Sequence, residues 1–324
     1  MGMTFKAAVA QVAPAPDTAA MLQKIAAFSG EAARSGAELV LFPEALLGGY
    51  PRGSRFGTVV GARSETGREE YRHYWERAID VPGAECSVLG EIAREHRQYL
   101  VVGVIERAGG TLYCTVLFIS PDGVLMGKHR KLMPTAAERL IWGFGDGSTM
   151  PVFDTPLGKL GALICWENYM PLMRAAHYAK GIELYCAPTA DGRDTWLPTM
   201  RHIAIEGRCF VLSANQFALR SHYPEIHGEI SPDADEVVSR GGSCIVDPFG
   251  RVLAGPHFEG EGVLVADIDR NAIIEGKFDL DVTGHYARPD VFRLLVNETS
   301  TPAVDFRADQ LVAQPREGGE DRRG

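Results

Sequence analysis

Gly158-Lys159-Leu160-Gly161-Ala162-Leu163-Ile164-Cys165-Trp166-Glu167-Asn168-Tyr169-Met170-Pro171 is the stretch that decides the architecture of this chain. Its first half is apolar and reads as a strand covered on both faces. Pro171 can open a helix, because proline is tolerated in a first helical turn. Cys165 therefore sits where a strand turns into a helix. Such a corner exposes a side chain at a sheet end and offers backbone N–H groups to an anion. The same surroundings are expected to lower the thiol pKa, which makes Cys165 a candidate nucleophile.

The pattern continues outward in both directions. Downstream, a helix is expected over residues 171–179, a strand over 183–187, a helix near 197–207 and a strand over 210–215, with last strands at 244–250 and 262–268. Upstream, a strand over 5–12 is followed by a helix capped by Asp17, with an apolar stripe of Leu22, Ile25, Ala26 and Ala33 that closes at Gly36. A strand over 38–42 runs into Pro43-Glu44, and a long loop leads through Gly83 to a helix over 85–96. Strands over 99–106, 112–120, 124–128 and 151–155 follow, with Pro121-Asp122-Gly123 as a turn. Alternation of strands and helices gives an α/β class, and the hairpins call for mixed rather than purely parallel sheets. Residues 1–300 read as one domain, and 301–324 as a polar tail expected to be disordered.

Bulk properties narrow the function. The 324 residues are 45% hydrophobic and 23% charged, as in an ordinary globular protein, and the formal net charge of −9 argues against nucleic acid as a partner. No secretory leader and no membrane-length apolar run is visible, so a cytoplasmic protein is the default expectation. Cys86, Cys114, Cys165, Cys186, Cys209 and Cys244 form no CxxC pair and no zinc-ligand spacing. GxxxxGK[ST] and GxGxxG are absent as well, so neither a metal nor a nucleotide cofactor is expected.

Two further residues share the setting of Cys165. Glu44 follows the apolar run Leu39-Val40-Leu41-Phe42-Pro43, where its charge would be disfavoured and its pKa raised toward that of a useful base. Lys131 ends the run Lys128-His129-Arg130-Lys131 and precedes Leu132-Met133-Pro134-Thr135; a lysine held there could stabilise developing negative charge. Taken singly, each has an ordinary structural explanation: a solvated carboxylate, a surface lysine, a buried thiol.

As a set they resemble a known family. Glu44 in Phe-Pro-Glu, Lys131 in His-Arg-Lys-Leu-Met-Pro-Thr and Cys165 in Cys-Trp-Glu-Asn are similar in order and spacing to the Glu-Lys-Cys triad of the nitrilase superfamily. The likeness runs from about Phe5 to about Arg293. The last two motifs, with Gly48-Gly49-Tyr50-Pro51-Arg52-Gly53, Ile141-Trp142-Gly143-Phe144-Gly145-Asp146-Gly147-Ser148 and Tyr185-Cys186-Ala187-Pro188-Thr189-Ala190-Asp191-Gly192, resemble the true nitrilase branch rather than the amidase or carbamoylase branches.

The resemblance implies a four-layer α-β-β-α sandwich, homodimers that extend into spirals or filaments, and a second glutamate near the triad, here Glu138. It also implies cofactor-free hydrolysis of a nitrile to acid and ammonia through a thioimidate and a thioester, with the Trp166 N–H as a helper at the developing charge. In one respect the chain departs from the pattern. Many relatives place Thr or Ala before the cysteine, whereas Ile164 stands here, which alters the packing behind the nucleophile. Tyr50, Trp142, Trp166 and Tyr169 lie near the triad in sequence and are candidates to wall an apolar substrate cleft, with Trp196 and Thr189 weaker ones. Arylacetonitriles, aliphatic nitriles and β-cyanoalanine all remain open. So do cyanide, an amide or N-carbamoyl substrate, and an inactive scaffold.

Overall fold

The computed structural model describes residues 4–223, 233–302 and 304. Most of the tail expected to be disordered lies outside them. The chain begins with β1 (Thr4–Gln11), α1 (Thr18–Arg34), β2 (Ala37–Leu41), α2 (Glu65–Arg77), β3 (Ile79–Asp80), α3 (Ala84–His96), β4 (Tyr99–Ala108), β5 (Thr111–Ile119) and β6 (Leu125–Arg130). It continues through β7 (Val152–Thr155), β8 (Gly158–Ala162), α4 (Pro171–Ala179), β9 (Leu184–Cys186), α5 (Trp196–Gly207) and β10 (Phe210–Ser213). It ends with β11 (Phe217–Leu219), β12 (Val237–Arg240), β13 (Ser243–Val246), β14 (Val252–His257), β15 (Gly262–Asp269) and α6 (Asn271–Asp279).

These strands form two large mixed sheets. One has the order β15-β1-β2-β4-β5-β6, with β3 beside β4, and is parallel where β2 meets β1 and β4. The other has the order β14-β13-β10-β9-β8-β7 and is parallel on both sides of β9. A separate antiparallel pair joins β11 to β12.

Side-chain alternation along the strands sets the layers. Ala7 and Val9 of β1, with Leu39, Leu41, Val101 and Val116, face Leu160, Ala162, Leu184, Leu212 and Ile245 of the other sheet in one buried core. The alternate residues Ala8, Ala10, Val40, Leu100 and Val102 pack outward on Met21 and Ile25 of α1 and Leu89 and Ile92 of α3. On the far side, Leu163, Tyr185, Val211 and Val246 pack on Met173 and Ala176 of α4 and Met200 and Ile203 of α5. Each fully buried Leu, Ile or Val contributes roughly 1.5–3 kcal/mol. The order is helix, sheet, sheet, helix, the four-layer sandwich that the resemblance implies.

Several elements differ from the sequence reading. The cap of α1 is as expected, since Asp17 accepts from Ala20 N at 2.7 Å. Its buried stripe, however, is Met21, Ile25, Ser29 and Ala32, with Leu22 and Ala26 on the flank. The loop before Gly83 contains α2, whose sequence buries only Gly67 and Tyr74 and so shows almost no apolar period. The strand before Cys165 ends at Ala162 rather than reaching the cysteine. β14, the β11–β12 pair and α6 were not foreseen. Among the described residues, no helix is long and apolar enough to cross a membrane.

Candidate active site

Glu44, Lys131 and Cys165 each follow closely on the C-terminal end of a strand, β2, β6 and β8 respectively. Carboxyl ends of strands are the usual place for binding groups in α/β sheets. The loop carrying Glu44 is laid across β4, with Phe42 N donating to Val101 O at 2.8 Å and Leu46 N to Gly103 O at 2.9 Å. Gly103 is required by that crossing, because a Cβ there would lie 2.2 Å from Pro43 O and 2.7 Å from Glu44 Cα. Gln216 Nε2 fixes the Glu44 carbonyl at 2.7 Å. The next residue, Ala45, has a φ of 49°.

The three side chains meet in one buried cluster. Lys131 Nζ donates to Glu44 Oε1 at 2.6 Å and to Glu138 Oε2 at 2.8 Å, and lies 5.4 Å from the centre of the Trp142 ring. Glu138 is held in turn by the Thr135 N–H at 2.7 Å and by the Tyr50 hydroxyl, which donates to Oε1 at 2.7 Å. Arg130, the neighbour of Lys131, turns away to Glu106. The Cys165 thiol adjoins the Glu44 carboxyl, whose Oε2 is buried with no other partner among the described residues. A second thiol, Cys114, donates to Glu44 Oε1 at 3.5 Å.

Cys165 opens a 3-10 turn (Cys165–Tyr169) that precedes α4, and its φ is 50°. Its backbone N donates to Pro188 O at 2.9 Å, and its Sγ accepts from Thr189 Oγ1 at 3.1 Å and from the Ala190 N–H. Ile164 packs in the core between the sheets.

Electrostatics follow from this burial. Desolvation raises the Glu44 pKa, the adjacent Lys131 only partly offsetting it and Glu138 adding to it. Burial alone would depress Lys131, but Glu44 and the other acidic neighbours hold it well above the ordinary lysine range. The thiol differs from expectation. Burial, and then the Glu44 charge, push the Cys165 pKa up, although Lys131, Thr189 and Ala190 oppose the shift. The corner does not leave the cysteine exposed as a thiolate; it encloses a thiol of raised pKa beside the Glu44 carboxyl.

A cavity of about 510 Å³ opens onto Cys165. Tyr50, Glu138 and Trp166 line it, while Trp142 and Tyr169 do not. Trp142 is buried beneath Lys131, its Nε1 donating to the Tyr74 hydroxyl at 3.1 Å. Tyr169 stands edge-on to Trp166 and Trp196 at 5.7 and 6.1 Å. Trp196 is core, donating to Ser213 Oγ at 2.9 Å. The expected apolar cleft is more polar than that: Arg52, Asp191, Arg193 and Arg240 stand on its wall, and the unforeseen β12 contributes Val237 to Arg240. Asp191 accepts from Trp166 Nε1 at 2.9 Å and pairs with Arg193 at 2.5 Å. Among the described residues, no group of three or more His, Cys, Asp or Glu side chains is arranged to hold a metal.

Sequence reasoning missed Glu167 and His129, which join the Cys165 turn to the Lys131 segment, and missed the bond from Thr189 to the Cys165 sulfur, although Thr189 does not line the cavity. The available signal was an acid two residues after Cys165 within an apolar run.

Known proteins show which family the chain belongs to. Residues 6–278 match the family model for carbon-nitrogen hydrolases. The chain belongs to that family. An aliphatic nitrilase of Sinorhizobium fredii is 58% identical over 94% of this chain and 99% of its own. A bifunctional nitrilase/nitrile hydratase of Nicotiana tabacum is 56% identical over 92% of this chain and 87% of its own. These likenesses place the chain in the nitrilase branch of the family. The crystal structure of a Helicobacter pylori carbon-nitrogen hydrolase superposes with a TM-score of 0.71 at 20% identity, covering 90% of this chain and 97% of that one, which supports the fold alone.

Proposed function

We propose that the protein hydrolyses an organic nitrile to a carboxylic acid and ammonia, with Cys165 as nucleophile, Glu44 as base and Lys131 as the charge-stabilising group. What supports this reading is the buried cluster in which the three meet, with Cys165 alone of them on the cavity wall. A thiol with a raised pKa needs a base in contact with it, and Glu44, with its own raised pKa, is matched to that task.

As the sulfur–carbon bond forms, the thiol proton passes to Glu44 and one C≡N π bond becomes a lone pair on nitrogen. Lys131, helped by the Trp166 N–H, stabilises that nitrogen as it takes the thiol proton from Glu44, giving a thioimidate and leaving Glu44 ionised for the next step. Water adds to the C=N carbon, losing a proton to Glu44, and the C–N bond breaks after proton transfer to release ammonia. A second water cleaves the thioester, and the carboxylic acid and the free thiol are restored. Two waters and these side chains balance every step. Glu138 acts by holding Lys131.

The name of the Sinorhizobium relative favours an aliphatic nitrile over an arylacetonitrile. A second reading is release of the amide, favoured by the paired activities in the name of the tobacco relative. Scoring ammonia, acid and amide from a panel of aliphatic nitriles, arylacetonitriles, cyanide and matching amides tests both. Absence of every product would overturn the proposal.

The protein is also proposed to assemble with further copies of itself. Phe278, Phe292 and Leu295 are 87%, 78% and 93% exposed in the single chain, large apolar side chains that a second copy would cover. Size-exclusion chromatography yielding only monomer would refute this.

A further inference from the structure

Glu167 is fully buried, and both of its oxygens accept from the segments that carry the other reactive groups. Oε2 accepts from Ile164 N at 2.7 Å, immediately before Cys165, and from His129 Nε2 at 2.8 Å. Oε1 accepts from Leu132 N at 2.6 Å, immediately after Lys131. One carboxylate thus ties the nucleophile's corner to both sides of the lysine.

The inward position of His129 follows from strand alternation. Along β6 and just beyond it, Lys128 and Arg130 point to Glu106 on β4, which sends His129 and Lys131 to the opposite face. His129 is fully buried, with Nδ1 2.6 Å from Thr149 O and Nε2 against Glu167. Both ring nitrogens face acceptors, so both carry protons and the ring is an imidazolium. A charged pair in so dry a setting is expensive unless every lone pair and proton is engaged. Here both imidazole nitrogens and both carboxylate oxygens are engaged, and along the seam between the segments that carry Lys131 and Cys165.

We propose that Glu167 and His129 are positioning residues that fix the distance between Lys131 and Cys165 without touching substrate. This rests on the roles proposed above for those two residues. Loss of the tie lets the Lys131 segment slip relative to the thiol, and a slip of about 1 Å costs on the order of 100-fold in rate.

The experiment compares Glu167→Gln and His129→Gln with Ile25→Ala, a control that weakens the outer core under α1 and touches neither segment. Two readouts are used, each at a temperature where all variants are folded. The first is turnover of the best nitrile, where the brace variants are expected to lose kcat by roughly 10- to 100-fold with KM within about threefold. The second needs no substrate: the pH dependence of Cys165 alkylation by iodoacetamide, localised by peptide mass. Lys131 is the cation that lowers the thiol pKa, opposing Glu44, so the midpoint should move upward when Lys131 slips. Ile25→Ala should change neither.

Wild-type kcat and an unmoved midpoint in both brace variants would overturn the proposal. Equal losses in Ile25→Ala would also overturn it, by reducing the pair to a stability role. If wild type turns over no nitrile or amide, the activity reading falls and the alkylation midpoint alone decides the brace. If Glu167→Gln does not fold, His129→Gln carries the comparison.

Discussion

Glu138→Gln removes one charge from the cluster and almost nothing else. Glu138 Oε2 serves Lys131 Nζ at 2.8 Å and Thr135 N at 2.7 Å, and Oε1 accepts from the Tyr50 hydroxyl at 2.7 Å. A glutamine oxygen can keep the first two contacts, and its NH2 can donate to the tyrosine oxygen instead. A hydrogen bond to a charged group is worth about 1.5–3 kcal/mol, against about 0.5–1.5 for a neutral one, so the loss is about 1–2 kcal/mol. Expressed wholly at the transition state, that is a ~5- to 30-fold fall in kcat/KM. The sign of the pH effect is fixed separately. Glu138 helps to raise the Glu44 pKa, so its neutralisation lets that pKa fall. The acid limb of kcat/KM, which reports the base in the free enzyme, should therefore move to lower pH. Ammonia release measured from about pH 5 to 9 decides the matter. An acid limb that stays put or moves upward, or a wild-type rate throughout, would refute the assigned coupling of Glu138 to Lys131 and Glu44.

Cys165→Ala should abolish ammonia release while leaving thermal stability at or above wild type, because a thiol held beside a carboxyl in a dry site is removed; retained turnover would end its candidacy. Lys131→Met strands Glu44 and Glu138 without a counter-charge, a loss of about 3–5 kcal/mol near neutral pH. Since the folded Glu44 pKa lies above its unfolded value, this variant should regain Tm as pH falls and lose it as pH rises through the folded value; a Tm profile parallel to wild type would contradict that. Thr189→Val removes the 3.1 Å bond to Sγ, should raise the alkylation midpoint of Cys165 and should slow turnover by roughly 2- to 10-fold, for a bond worth about 0.5–1.5 kcal/mol. An unchanged midpoint would show that the hydroxyl does not reach the reacting sulfur.

The alternation of strands and helices is legible in the chain because strand and helix periods differ, whereas the four-layer order came only with the family resemblance. Phe42-Pro43-Glu44 and Ala162-Leu163-Ile164-Cys165 mark strand ends with polar groups, and that pattern depends only on which backbone faces are buried. α2 escaped because a helix lying on the surface needs little apolar surface, and its 13 residues bury only Gly67 and Tyr74. The thiol pKa was misjudged for a different reason. A strand-to-helix corner seen in one segment implies helix N–H groups and exposure, but desolvation and the Glu44 charge come from segments distant in sequence. Glu167 and His129 were hidden in the same way: their partners are 35 and 38 residues apart along the chain. Local patterns place residues on faces. They do not say which faces close upon each other.

Six non-glycine residues among those described have left-handed backbones, and three of them are Ala45 beside Glu44, Ala136 two residues before Glu138, and Cys165 itself. That conformation costs an L-residue of the order of 1–2 kcal/mol and is a far worse fit for β-branched side chains. Neither alanine lines the cavity. A saturation mutational scan should therefore find both positions closed to Val, Ile and Thr yet open to Gly, with Asn accepted at the exposed Ala136 and excluded at Ala45 by the apolar core around it. Mutational drift near this site is confined at residues that no substrate meets.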